Sequence, residues 1–498
     1  MEFSVVEPTV TENITENITE TRTGTRTAPG GDPGIPPAAR PGRPDPKPDP
    51  ERAAAIRRRD RAHVFHAWAA QKHIDPLPVA GGAGSYFWDY EGNSYLDFSS
   101  QFVNLNIGHA HPRVVAAVRD QAERLCTIAP HFTTEPRAEA ARLIAGLAPG
   151  DLNRVFFTNG GTEANEHAVR MARTATGRPK ILSAYRSYHG ATATALNLTG
   201  DPRRWSADSG SAGVTHFFGP YPYRSAFHAD SPEQECERAL AHLDLTIRME
   251  GPATIAAVLL ETVIGTGGVL VPPDGYLAGV RRICDEYGIL MITDEVMVGF
   301  GRTGEWFAVG HWDVVPDLLT FAKGVNSGYV PLGGVVVSDR VAAVFDHRPY
   351  PGGLTYSGHP LGCAAAVATI GAMRDEGMVE HAAWLGEQVL GPGLRDIAAR
   401  HPAVGEVRGL GVFWALELVK DRGTREMLVP YAASPAESTP VTEVMAACRK
   451  AGLWPFANYN RIHVVPPCNL SAAEAAEGLA ILDGALTAAD AYTTEGAS

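Results

Sequence analysis

Two side chains in this sequence are placed for covalent and acid–base chemistry, a lysine at position 323 and an aspartate at position 294. Lys323 follows the apolar run Leu318-Leu319-Thr320-Phe321-Ala322 and precedes Gly324-Val325, and its nearest charged residue in sequence, Asp317, lies before that run. Loss of water around an amine lowers its pKa, which suits a lysine that forms a Schiff base. Asp294 ends the run Ile289-Leu290-Met291-Ile292-Thr293, which is apolar without alternation and too short for a helix. Such a run predicts a buried parallel strand, and ligands of open α/β sheets bind at the strands' carboxyl ends. Between the two residues stand Gly299, Gly301 and Gly304, spaced as in a dinucleotide fingerprint. The residues that follow, Glu305-Trp306-Phe307-Ala308-Val309-Gly310, make a poor helix, so no helix N-terminus awaits a pyrophosphate. The better reading is a glycine-rich turn leaving the strand. A cradle for an anion is predicted at 157–165, where the strand ending in Phe157 passes through Gly160 and Gly161 into a helix. Thr162 is expected to cap that helix, whose positive end favours a phosphate.

These groups need a scaffold to bring them together. Strand and helix patterns alternate from Arg113 to about Ile370, which predicts an α/β unit with a doubly wound, mostly parallel sheet. Helical patterns over 382–400 and 441–451 then flank the short apolar runs 411–416 and 462–465, an α+β arrangement. Upstream, a helix is expected over 51–71, with Ile56, Val64, Phe65 and Trp68 on its apolar face and Arg57, Arg58, Arg59 and Arg61 on the other. Residues 86–98 read as a hairpin turning at Glu91-Gly92-Asn93. Residues 1–50 repeat a Thr-Glu-Asn-Ile unit and then become dense in proline and glycine, so they are expected to be disordered. The expected divisions are therefore 1–50, 51–112, 113–370 and 371–498.

Composition narrows the function. A chain of 498 residues, 45% hydrophobic and 20% charged, can bury a large core. A net charge of −13 argues against a general nucleic-acid binder. The six cysteines show no Cys-x-x-Cys spacing, which suggests reduced thiols in a cytoplasmic protein. No apolar stretch approaches a membrane span, and the N-terminus lacks the apolar core of a secretory signal. His109 and His111 have no third ligand in view, so a turn is expected there and no metal.

Several separated segments carry a family resemblance. Ala256-Ala257-Val258-Leu259-Leu260-Glu261, Gly267-Gly268-Val269-Leu270-Val271-Pro272-Pro273, Gly275-Tyr276-Leu277, Asp294-Glu295-Val296, Lys323 and Pro331-Leu332-Gly333 occur in one order. From about Val64 to the C-terminus the chain resembles the class III (ω-type) aminotransferases, which are pyridoxal-phosphate enzymes. The resemblance implies a fold-type-I large domain that binds the cofactor and a small C-terminal domain. It implies that Lys323 holds the cofactor and moves a proton, and that Asp294 pairs with the pyridine nitrogen. Gly161 and Thr162 would hold the phosphate, Tyr188 would stack on the ring, Val296 would lie on its opposite face, and Glu261 would sit in the pocket. The proline that commonly follows that glutamate is replaced by Thr262. Glu295 is read as structural. Thr355 resembles a residue that reaches the phosphate of a neighbouring subunit, which implies a homodimer or larger assembly with shared sites. Phe102 and Val103, in the loop expected to border the pocket, are candidates for lining it or for ordinary core residues.

The resemblance is nearest to the branch that handles taurine, β-alanine and related ω-amino compounds. Members that use 2-oxoglutarate usually carry arginine after the His-Gly pair, where this chain has Ala191. Without that fork, pyruvate is the expected acceptor. Arg461, and less directly Arg408, are candidates to bind the acid group of donor or acceptor. The alternatives keep the cofactor and change the reaction, to an aminomutase or a biosynthetic transfer on another amine or amino sugar.

Overall fold

Strands made almost wholly of buried apolar residues build the central sheet. The computed structural model describes residues 43–206 and 213–494. Across the sheet the strands run in the order Leu152–Thr158, Gly333–Ser338, Leu318–Phe321, Leu290–Asp294, Ile255–Glu261, Lys180–Ala184 and Val214–Phe217. Gly333–Ser338 is antiparallel to both neighbours and the remaining pairings are parallel. Every residue of Ile255–Glu261 and of Leu290–Asp294 is buried, as a sheet covered on both faces requires. One apolar cluster joins Leu182 and Val258 to Leu243 and Ile283, and another joins Leu259 and Ile292 to Ala164 and Val169. The chain thus forms a doubly wound, mostly parallel α/β sheet, as its pattern predicts.

A smaller antiparallel sheet follows in the order Val404–Leu410, Phe413–Asp421, Arg461–Val464 and Phe456–Asn458. Helices Gly391–Arg400, Thr439–Lys450 and Ala472–Asp490 accompany it. The expected hairpin is present as Tyr86–Asp89 and Ser94–Asp97, and the second strand pairs in parallel with Leu453–Trp454. That pairing ties the N-terminal region to the C-terminal one.

Two expectations need correction or restriction. The helix expected over 51–71 spans Pro50–His63. Asp49 accepts from the Arg52 N–H at its start, Pro50 fits the first turn, and Val64 is already extended. Ala53 is its buried residue, whereas Val64, Phe65 and Trp68 lie beyond its end and are exposed, so they form no core-facing stripe. Of the tail expected over 1–50, residues 43–49 form neither helix nor strand, Pro50 already opens the helix, and 1–42 lie outside the described residues.

Candidate active site

The parallel register aligns the chemistry. Glu261 is paired with Asp294, and Asp294 with Thr320, at the carboxyl ends of three adjacent strands. Three residues beyond Thr320 comes Lys323, which opens the tight turn Lys323–Val325 with a left-handed φ of 40°. Its Nζ donates to the carbonyl of Phe102 at 2.8 Å. Burial pushes this amine down to about 8, against the pull of the Asp294 and Glu261 carboxylates. The lysine and the aspartate, 29 positions apart in sequence, therefore share one electrostatic environment.

Asp294 is held on several sides. Its Oδ2 accepts from Asn165 Nδ2 at 2.8 Å and faces His189 Nδ1 at 2.8 Å, while Oδ1 accepts from the Val296 N–H at 3.0 Å. Asn165 is itself fixed by accepting from the Thr320 hydroxyl at 2.8 Å and by donating to the His189 carbonyl at 2.9 Å. Neither Asn165 nor His189 stood out in the sequence, although both lie inside the segments that carry the anion cradle and Tyr188.

Glu261 accepts from the Tyr188 N–H at 2.8 Å and the Gly265 N–H at 2.7 Å. Burial pushes its carboxyl up to about 7, with Asp294 adding to the shift. Glu295 turns away into the structure. It accepts from the Thr262 hydroxyl at 2.6 Å and from the N–H groups of Ala308 and Val309 at 2.8 and 2.9 Å. The threonine that replaces a proline thus has a hydrogen-bonding partner of its own.

The remaining expected residues divide. A methyl group on Gly161 would lie 2.8 Å from Val296 Cγ2, and one on Gly190 would lie 2.5 Å from the Thr162 hydroxyl. Gly161, Thr162, Tyr188, Glu261, Asp294, Val296 and Lys323 therefore converge. Thr162 does not cap the helix. Gly160 occupies the cap position of Gly161–Thr176 without a side-chain bond, and Glu163 reaches back to the Asn159 N–H at 2.8 Å. Phe102 brings its carbonyl to Lys323, but its ring is 61% exposed. Residues Ser100 to Val103 all have positive φ, a strained left-handed turn that presents this carbonyl. Val103 is buried with Val263, Val298, Phe413 and Val465, so its side chain belongs to the core. Thr355 is exposed and enters none of these bonds within the chain. Arg461 is buried, and its Nη1 donates to the Gly267 carbonyl at 2.6 Å. Arg408 is engaged by Glu406 and Glu417.

The glycine-rich turn is confirmed as such. Gly301 N–H donates to Glu305 at 3.1 Å, the helix that follows is a short 3₁₀ segment, and buried Arg302 donates to Asn106 at 2.7 Å.

These residues fit a pyridoxal phosphate. A carboxylate offers about four acceptor sites, and the three contacts at Asp294 leave one for a pyridinium N–H. A methyl on Gly160 would meet nothing within 4 Å, so open space lies at the N-terminus of a 16-residue helix, where an anion is stabilised. Lys323 supplies a nearby amine of lowered pKa.

Comparison with known proteins agrees. Residues 68–486 match the model of the aminotransferase class-III family. Taurine–pyruvate aminotransferase of Rhodobacter capsulatus is 36% identical over 425 residues, covering 80% of this chain and 88% of that protein. The 5-aminovalerate aminotransferase of Pseudomonas aeruginosa is 36% identical over 423 residues, with 82% and 93% coverage. The solved taurine:2-oxoglutarate aminotransferase of Bifidobacterium kashiwanohense, in complex with PLP and glutamate, is 42% identical with a TM-score of 0.85. The match covers 88% of this chain and 98% of that one.

Proposed function

This chain belongs to the class III aminotransferases, and we propose that it moves the amino group of an ω-amino acid of the taurine or β-alanine type to a 2-oxo acid, with pyruvate as acceptor. The family uses pyridoxal 5′-phosphate, which supplies a carbonyl that bonds to amines and a ring that accepts electrons.

The protein's own groups divide the remaining work. Gly161 and Thr162, at a helix N-terminus, hold the phosphate, and Thr355 of a second copy completes that contact. Tyr188 and Val296 take the two faces of the ring. Asp294, fixed by His189 and Asn165, keeps a proton on the pyridine nitrogen. Lys323, with an amine pKa of about 8, takes a proton from the donor's amine-bearing carbon in the first half-reaction and manages the reverse transfer in the second. Arg461 receives the acid group of donor or acceptor.

The observation that carries this reading is the junction of Lys323 and Asp294 at neighbouring strand ends, the lysine with a depressed pKa. A second acceptor, 2-oxoglutarate, is supported by the solved relative named for that co-substrate. Incubation with taurine, β-alanine and 5-aminovalerate beside each acceptor separates the possibilities. Alanine formation is expected. Glutamate without alanine would replace the acceptor, and neither product with any donor would remove the reading.

A further inference from the structure

Next to the catalytic strand ends lies a cluster of arginines whose charges do not balance. Glu417 is engaged by Arg224, Arg408 and the Tyr221 hydroxyl, and Glu406 by Arg408. Asp201 is engaged by Arg203, with Nε 2.9 Å from Oδ2. Each of these carboxylates has its cation. Two arginines in the same neighbourhood make no ion pair among the described residues.

The first is Arg186, which no sequence motif singled out. Its guanidinium lies 5.0 Å from the centre of the Tyr221 ring and 5.4 Å from that of Tyr431. Nη1 is buried with no hydrogen-bond partner among the described residues. Its backbone has a φ of 71° and is held by an N–H bond to the Gly200 carbonyl at 3.1 Å. Glycine would adopt that conformation at lower cost. The second is Arg461, 2% exposed, which spends Nε and Nη1 on the carbonyls of Asn458 and Gly267 and makes no ion pair among the described residues. Burial lowers its pKa; Tyr221 and Glu417 pull the other way, and the charges of Arg186 and Arg408 add to the lowering.

The two arginines meet at the turn over residues 265–268. A methyl on Gly267 would lie 2.5 Å from the Arg186 carbonyl oxygen and 3.3 Å from its Cβ, while the Gly267 carbonyl accepts from Arg461. Tyr431 and Tyr459, 5.6 Å apart, link their guanidiniums as an aromatic wall. The same turn begins at Gly265, whose N–H binds Glu261, and Arg186 stands two residues before Tyr188, which binds the other oxygen of Glu261. The uncompensated positive charge is thus one turn away from the carboxylate cluster at the strand ends.

A guanidinium stays charged at any working pH, and a buried charge without a partner is costly. An anion arriving there gains charge-assisted hydrogen bonds at a site already ordered. We propose that Arg186 and Arg461 together form the receptor for the acid group of the substrate, a carboxylate or a sulfonate, and so select donors that carry an acid at the end remote from the amine. The substrate identity rests on the function proposed above; the anion binding does not.

The test uses cofactor-loaded enzyme and two acids that lack an amine, propionate and ethanesulfonate, with inorganic phosphate for comparison. Calorimetry is expected to show both organic acids binding to wild type and weakening by about tenfold or more in Arg186→Gln and in Arg461→Gln. Arg186→Lys should recover part of the affinity. In turnover, Arg186→Gln raises KM for β-alanine and taurine, leaves kcat within about twofold, and leaves KM for butylamine unchanged. Equal binding by wild type and Arg186→Gln, no binding by wild type, or binding of phosphate as tight as that of propionate would each overturn the proposal. Acid binding that depends on Arg186 in an enzyme that transfers no amino group would leave the receptor standing and remove only the proposed reaction.

Discussion

The carboxylates at the strand ends and the arginines beside them are handled in opposite ways. Asp294, Glu261 and Glu295 are all buried, and every one accepts at least two hydrogen bonds from fixed neighbours. Arg461 is buried and Arg186 half-buried, yet among the described residues Arg186 keeps a buried donor without an acceptor and Arg461 a charge without an ion pair. A group that must hold one geometry through every turnover is best satisfied by the protein itself. A group that must take up and release a substrate is best left with its strongest interaction unmade. The contrast separates fixed machinery from a receptor, and each half can be tested.

The largest effect belongs to the fixed half. Lys323→Ala removes the amine that bonds to the cofactor and carries the proton, so amino transfer should fall by at least about 10³-fold, read as the initial rate of alanine formation. The fold should survive, since the loss at Lys323 is one bond to the Phe102 carbonyl. Asp294→Ala comes next, at about 10²- to 10³-fold. That substitution also strands His189 and Asn165, so it should lower the melting temperature where Lys323→Ala does not. A stable, active Asp294→Ala enzyme would mean that the carboxylate is no part of the machinery.

Titration of Lys323 probes the same half without turnover. Its amine is lowered from 10.5 to about 8, so the neutral, nucleophilic form is reached at lower pH than for an ordinary lysine. In cofactor-free enzyme, acylation of Lys323 followed by peptide mass spectrometry should rise with pH and level off above about 8. Near pH 7 it should exceed the rate at an ordinary lysine of equal access by about 10²-fold. A profile still climbing at pH 10 would show an amine that the site does not tune.

Much of the fixed half is legible in sequence because it is built from local signals. Uninterrupted apolar runs announce buried strands, and the residue that ends such a run, Asp294, reports its place at the carboxyl end of a central strand. The glycines at 160–161 and 299–304 mark turns for the same local reason. The pairings are not local. Asn165 and His189 reach Asp294 from 129 and 105 residues away, and only the order of the strands brings them there. Arg186 looks like a surface arginine until its neighbours Tyr221 and Tyr431 are in place. Thr162 offers the residue type of a cap, but the helix already starts at Gly161, so Gly160 takes the cap position and Thr162 lies inside the first turn. Val64, Phe65 and Trp68 fit a helical stripe, but the helix stops at His63 and leaves them exposed.

Stability should separate the two halves at smaller magnitudes. Thr262→Val removes the hydroxyl that donates to Glu295 at 2.6 Å and leaves a buried carboxylate short of one partner. The expected cost is about 1 to 2 kcal/mol, measured by denaturant unfolding of loaded enzyme. An unchanged midpoint would mean that the two N–H bonds from Ala308 and Val309 suffice.

Arg186→Met is the mirror of that substitution and should have the smallest effect. The guanidinium makes no ion pair among the described residues, and removing a charge whose Nη1 is buried without a partner relieves a cost. Against this stands its stacking between Tyr221 and Tyr431, worth about 1 kcal/mol and partly kept by a thioether on aromatic faces. The two contributions oppose, so stability should stay within about 1 kcal/mol of wild type even as acid binding is lost. A fall larger than that of Thr262→Val would make Arg186 a structural element held by its aromatic neighbours, and the division between satisfied machinery and unsatisfied receptor would fail at the residue on which it depends most.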